Sequence, residues 1–330
     1  MSGLRNASPF QAIDVPWVDH EGCEVVIVIV KATFEVDSSG RCRPAEKPSG
    51  IRFDDVPYDP KRENSSLRYP SDLCVQKVGT DVVVIGEAVS KTPVQHVDVA
   101  VRVLQRTVPL RVHGERVFYR ALGRVAIGPA APFTHKPIVY ERAYGGVAED
   151  FSVVEERNLA GVGVAKRAAD LVDRPAPQIE HPGHPHTTSR DTHAPVGYGA
   201  IPSHWAPRRG YFGTCDDAWK QARMPLAPKD HDHRFNNVAH PTLQFESPLQ
   251  PGDEFSALRM TEDEFFSFKI PPFAPLVRGV FDGRTVQARP PIDVLLVEPT
   301  RRRFELVARA PFPIGRGKEV LREVRVDRDG

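Results

Sequence analysis

Proline supplies 32 of the 330 residues, about twice the usual share of roughly 5%. Because proline fixes φ and has no amide hydrogen to donate, that density breaks up long helices and bars many central strand positions. Short strands joined by turns tolerate it. The run EVVIVIVKATFEV at positions 24–36 fits that expectation, since β-branched side chains crowd a helix and pack well on a pleated sheet. It reads as a strand buried on both faces in its first half. At positions 96–103, Val97, Val99, Val101 and Val103 alternate with Asp98, Ala100 and Arg102, the period-two pattern of a half-buried strand. A turn near Gln105 and Arg106 returns the chain through Val108, Leu110 and Val112 as a hairpin.

A different texture begins near Gly146, where Gly, Pro and His dominate as far as Pro207. Positions 165–172 read as a short helix. The clearest helix signal lies at 214–224, with Thr214 and Asp217 at capping-box spacing, Trp219 as a buried anchor and Pro225 as the stop. Strands return at 254–260, 265–270, 276–280, 286–289, 293–297 and 304–308, and no repeat of 20 to 50 residues suggests a solenoid. The expected fold is mainly β: antiparallel sheets, sandwich-like or two-lobed, with a loop-rich middle carrying one or two short helices. The expected division is a β-rich N-terminal lobe (1–145), a Gly/Pro/His-rich middle (146–245) with its helix near 214–224, and a β-rich C-terminal part (246–330) packed with the first.

Charge excludes one class of partner. Lys and Arg total 44 against 43 Asp and Glu, so the surface lacks the basic excess that tracks a phosphate backbone, and no nucleic acid is expected. The longest purely apolar run, at 25–30, is six residues, far short of the roughly 20 of a membrane helix. A soluble, cytoplasmic protein without a membrane partner follows as the expectation. Cys23, Cys42, Cys74 and Cys215 show no C-x-x-C spacing and read as reduced thiols.

The search for chemistry returns little. His181, His184 and His186 lie in HPGHPH, with His193 nearby and His231 and His233 in DHDH. Imidazoles suit zinc, but the intervening prolines extend the segment, H-E-x-x-H is absent, and a solvated loop without metal is the expectation. There is no G-x-S-x-G elbow and no G-x-x-x-x-G-K-[ST] loop, and Gly161-Val162-Gly163 lacks the third glycine of a dinucleotide fingerprint. Asp216, Asp217, Asp230 and Asp232 read as a solvated helix flank, and Arg301, Arg302 and Arg303 as a turn. No catalytic residue and no cofactor is assigned. Binding is better represented: Tyr198, Trp205, Arg208, Arg209, Tyr211, Phe212 and Trp219 fall in one segment, and Tyr, Trp and Arg are the types enriched at interface hot spots.

Six motifs in order complete the reading: KATFEV (31–36), SSLRYPSDLCVQKVGTDVVVIGEA (65–88), YERAYGG (140–146), NLAGVG (158–163), GYGAIPSHWAPR (197–208) and GTCDDAWKQARMPLAPKDHDHRFNNVAHP (213–241). In these the chain resembles the bacterial family called domain of unknown function 2169, over positions 15–308. The resemblance implies an adaptor or chaperone of type VI secretion, which holds an effector toxin encoded nearby in the cytoplasm and loads it onto the spike or its PAAR-repeat tip. The family's signature positions fall on Ser66, Leu67, Arg68 and Tyr69, on Glu141, Arg142, Gly145 and Gly146, and on Trp205 and Trp219. Their implied roles are structural, with Glu141 paired to Arg142 or Arg68 and the glycines allowing positive φ or close approach. Asn158-Leu159-Ala160-Gly161 departs from the family's Asn-Pro-Val-Gly and implies a looser turn, and His181 stands where relatives tend to have Asp. The expected function is therefore a non-enzymatic adaptor. The alternatives are a hydrolase, with or without zinc, using His and Asp of the middle region, and a structural component of the secretion machine.

Overall fold

The computed structural model describes residues 3–314 and 320–328. Strands account for 44% of the chain and helices for 8%, which is the mainly β architecture that the proline density and the β-branched runs require. A seven-stranded sheet forms the centre. Its strands are β1 (Gln11–Val18), β2 (Glu24–Val36), β3 (Cys42–Pro44), β4 (Thr80–Val84), β5 (Gln244–Phe245), β6 (Ile292–Glu298) and β7 (Arg303–Pro313). The spatial order is β5-β4-β6-β7-β2-β1, with β3 added at the end of β2. Most pairings are antiparallel, but β4 runs parallel to β6, with Val82 opposite Leu295. β1 closes the order, so its outer edge has no strand partner among the described residues.

The burial of β2 extends further than its apolar run suggests. Val25 through Phe34 are all buried, Lys31 and Thr33 included. The strand lies between β1 and β7, where Lys31 stands opposite both Gln11 and Val307. Residues 45–73 cover one face of the sheet there and supply the polar partners that a buried ammonium needs. Lys31 Nζ lies 2.7 Å from Asp72 and 3.1 Å from Glu305, and Arg52 grips Glu305 with two bonds of 2.7 Å.

A five-stranded sheet packs on the first. It is ordered Ile179–Glu180, Arg106–His113, His96–Val103, Glu254–Leu258 and Phe265–Lys269. Val97, Val99, Val101 and Val103 all face inward and are at most 3% exposed, as their alternation requires. The sheets meet through aromatic rings, with Phe268 stacked on Phe304 of β7 at 4.0 Å and Phe255 on Phe268 at 5.2 Å. A four-stranded sheet joins the chain's beginning to its end: Gly3–Asn6 runs parallel to Leu321–Arg328, which pairs with Pro275–Phe281 and then Arg284–Ala288. One continuous cluster of buried residues runs through all three sheets, from Val25 to Val326.

The middle of the chain is mostly loop, as proline and glycine dictate. Its only α-helices are α1 (Ala206–Arg209) and α2 (Asp217–Ala222). The helix expected at 165–172 is a 3-10 turn over Ala168–Leu171. That segment offers no side-chain cap, and of the turn only Leu171 is buried, too little packing to hold more than one turn.

Candidate protein-binding groove

The second helix begins where a carboxylate can reach its amides. Asp216, not Thr214, is the N-cap: its side chain accepts the Trp219 amide at 2.8 Å. Thr214 is instead drawn to Asp230, with its amide 3.0 Å and its hydroxyl 2.7 Å from that carboxylate, so the expected capping box does not form. Trp219 is only half-buried. Its indole donates to the Leu226 carbonyl at 2.8 Å and pins the return of the loop. Arg223 continues that line, donating to the carbonyls of Ala227 and of His20 in the β1–β2 connection. The middle segment is thereby held against the end of the central sheet.

Between these two parts lies a groove of about 1010 Å³. One wall is the end of β1, where Trp17 and Val18 are 41% and 49% exposed. The other is built from Phe212, Leu226 and Phe235, with Leu73 and Val75 below. Phe212 and Phe235 pack ring to ring at 5.1 Å, and His231 closes on both at 5.8 and 5.7 Å. At one end His20 stands 4.8 Å from His233 and 5.6 Å from His231, ring centre to ring centre. Burial lowers the pKa of His233, and the neighbouring His20 and His231 rings lower it further.

Arg208 lies at the floor of this groove. It is 7% exposed, its Nε donates to the Phe235 carbonyl at 3.0 Å and its Nη1 to the Ile201 carbonyl at 2.8 Å. No carboxylate forms an ion pair with it among the described residues. Burial pulls the guanidinium below its ordinary pKa, and the more distant Asp55 and Asp81 push it back.

Of the aromatic and basic residues that the sequence singles out for binding, Arg208 and Phe212 line the groove and Trp219 braces it. The others do different work. Tyr198 and Trp205 are wholly buried: the Tyr198 hydroxyl donates to the Val108 carbonyl at 2.7 Å, and Trp205 packs edge-on against Tyr140. They form core and offer no contact surface. Arg209 pairs with Glu156 at 2.8 Å, and the Tyr211 ring carries the Arg234 guanidinium at 4.5 Å. The sequence reading missed Trp17, Val18, His20 and Leu226. His231 and His233, which also line the groove, stand out in the sequence as metal candidates and not as binding residues.

The family-motif residues lie apart and pin loops by other means than expected. Glu141 accepts bonds from the Ser66 amide at 2.9 Å, the Ser66 hydroxyl at 2.8 Å and the Ser65 hydroxyl at 3.2 Å. The expected pairing of Glu141 with Arg142 or Arg68 is absent, because Arg142 turns to Glu115 and Gln178, each at 2.8 Å, and Arg68 lies near the Tyr69 ring at 5.5 Å. The Tyr69 hydroxyl donates to Glu298 at 2.8 Å. Gly145 and Gly146 take φ of +152° and +109°, and a side chain at Gly146 would meet the Gly161 carbonyl at 2.6 Å. The turn at Asn158 is tight, contrary to expectation: the buried Asn158 amide donates to the Tyr140 and Tyr144 carbonyls at 2.9 and 3.0 Å.

In the histidine-rich stretch His184 is exposed, as a solvated loop requires, but His186 is not. His186 is 3% exposed and stacks on Tyr144 at 5.3 Å, and its backbone amide donates to the buried Glu180 at 2.9 Å. Among the described residues no group of three or more His, Cys, Asp or Glu is arranged to hold a metal ion. The acids near α2 are taken up locally, Asp216 as cap, Asp230 by Thr214 and Asp232 by Arg234. No helix of the described residues is long and apolar enough to cross a membrane.

A family model described as "Uncharacterized protein conserved in bacteria (DUF2169)" matches residues 21–309. No curated protein and no solved structure matches the chain.

Proposed function

The chain belongs to this uncharacterized bacterial family, and from that premise we propose that it is a non-enzymatic cytoplasmic adaptor of type VI secretion. In this reading it binds an effector toxin encoded nearby and helps load it onto the spike or PAAR-repeat tip. The observation that carries the reading is the groove of about 1010 Å³. One wall ends in a strand whose outer edge has no strand partner among the described residues, and Trp17, Val18, Phe212 and Leu226 face the space. Walls that are largely apolar suit the recognition of a protein segment. The walls are already fixed by the Trp219, Arg223 and Asp230 bonds, so binding orders few side chains and its entropic cost is low.

The test is deletion of the gene in a bacterium that carries the secretion apparatus. Export of one neighbouring effector should stop while the apparatus still fires and exports other cargo, and the effector should copurify with this chain. Arrest of the whole apparatus would favour a structural subunit. Normal export of every effector would refute the adaptor reading.

A further inference from the structure

Among the described residues that line the groove, Arg208 is a buried cation with no ion-pair partner. The residue is 7% exposed and its side-chain bonds go only to backbone carbonyls, so among the described residues no carboxylate forms an ion pair with this cation, and Asp55 and Asp81 act on it only from beyond ion-pair distance. Of the other charged residues that line the groove, Glu24 is exposed, and Lys77, Asp55 and Asp19 have hydrogen-bond partners of their own. Lys77 pairs with Asp81 at 2.7 Å. Asp55 accepts the Ser71 amide at 2.8 Å, and Asp19 accepts the Glu21 and Cys23 amides at 2.9 and 2.8 Å. A buried, unpaired cation costs several kcal/mol of solvation unless a partner offsets it, and the planar guanidinium suits a carboxylate that can meet two of its N–H groups at once.

The space above Arg208 specifies the rest of the occupant. Trp17, Val18, Phe212 and Leu226 offer apolar walls, and the outer edge of β1 has no strand partner among the described residues. An unpaired strand edge beside apolar walls accepts an extended chain, whose backbone continues the sheet while alternate side chains fill the groove. The imidazoles of His20, His231 and His233 at one end carry no negative charge in either protonation state, so they do not oppose an acid.

We propose that this groove takes an extended apolar segment of a partner protein, and that one aspartate or glutamate side chain of that segment pairs with Arg208. The inference rests on the adaptor reading and names the chemistry of the bound segment, and the two can fail separately. The probe is a set of phage-displayed random dodecapeptides panned on the full chain, followed by a fluorescein-labelled synthetic copy of the enriched sequence. The enriched sequence should hold one acid flanked by apolar residues. Replacing that acid by its amide should weaken binding by about thirtyfold or more, the effect of removing one member of a buried charge pair. In the protein, Arg208→Gln should weaken it equally. Trp17→Asp should abolish it, and because Trp17 is 41% exposed that variant should still fold even if Arg208→Gln does not.

The proposal is overturned if panning enriches nothing or enriches sequences without an acid, or if the amide peptide binds as well as its parent. It also falls if light scattering shows the chain to be a dimer that Trp17→Asp dissociates, since the groove would then be filled by a second copy. If the neighbouring effector binds wild type and Trp17→Asp equally, the groove proposal falls and the adaptor reading stands. If no neighbouring effector binds while the peptide criteria are met, the reverse holds.

Discussion

Replacing Lys31 by methionine tests how the loop of residues 45–73 is fastened to the central sheet. The ammonium is wholly buried, 2.7 Å from Asp72 and 3.1 Å from Glu305, and donates to the Gly50 carbonyl at 3.1 Å. Methionine fills similar volume, so the change removes charge and hydrogen bonds with little cavity. What remains is two buried carboxylates, Glu305 held by the Arg52 guanidinium and Asp72 by the Arg52 backbone amide. Removing one partner from such a group costs roughly 3–5 kcal/mol, and Lys31→Met should lose about that much at pH 7. The pH dependence identifies the cause. Burial by itself raises the pKa of Glu305, but the Arg52 bonds and the charges of Lys31 and Arg52 outweigh it and hold the group at about 2. A carboxyl whose folded pKa lies below its unfolded value of about 4.5 stabilises the fold at pH above roughly 5. That contribution, on the order of 3 kcal/mol here, is lost as pH falls from about 5 toward 2. Without Lys31 the depression is smaller, so the penalty of the substitution should be full at pH 7 and shrink at pH 3.5. Urea denaturation of both proteins at the two pH values measures this. A loss under about 1 kcal/mol at pH 7, or a loss of equal size at both pH values, would refute the reasoning.

Three further outcomes are expected. Gly146→Ala should destabilise the protein by more than about 2 kcal/mol, since φ is +109° and the new methyl meets the Gly161 carbonyl at 2.6 Å, and thermal melting will show it. Glu141→Ala leaves the Ser66 amide and hydroxyl without their acceptor, and the same assay should register a loss of about 2 kcal/mol. Thiol titration should count four free cysteines in denaturant; in the native protein the exposed Cys215 should react first, at least about tenfold ahead of Cys42, whose pKa burial pushes up to about 11, and of Cys74, which burial also raises.

Local pattern made the strands legible. The alternation at 97–103 gives the face that packs inward, and the run at 25–30 gives a strand covered on both sides. Pairing between distant strands carries no such mark: nothing in DVVVI at 81–85 announces that Asp81 will lie opposite Val294, more than 200 residues later, in a parallel register. The groove is hidden for the same reason. Its walls come from residues 16–25, 71–77 and 203–238, so the concentration of Tyr, Trp and Arg between 198 and 219 reveals one wall at most. Within that concentration Tyr198 and Trp205 belong to the core while Arg208 and Phe212 line the groove, and composition cannot make that distinction. The buried Lys31 is likewise invisible locally, because the carboxylates that admit it stand 41 and 274 positions away in the chain.

The sheet order has a consequence for synthesis. β2 lies between β1 and β7, and β1 emerges just before it, but β7 leaves the ribosome about 270 residues later. At roughly 5–20 residues per second, the VVIVIV edge of β2 waits on the order of 15–50 seconds for its second neighbour. During that interval it is a bare, uncharged strand edge of the kind that recruits other chains. Translation speed and early chaperone capture should therefore govern the yield of native protein more than its final stability does, and slowing elongation across the last third of the message should increase the aggregated fraction.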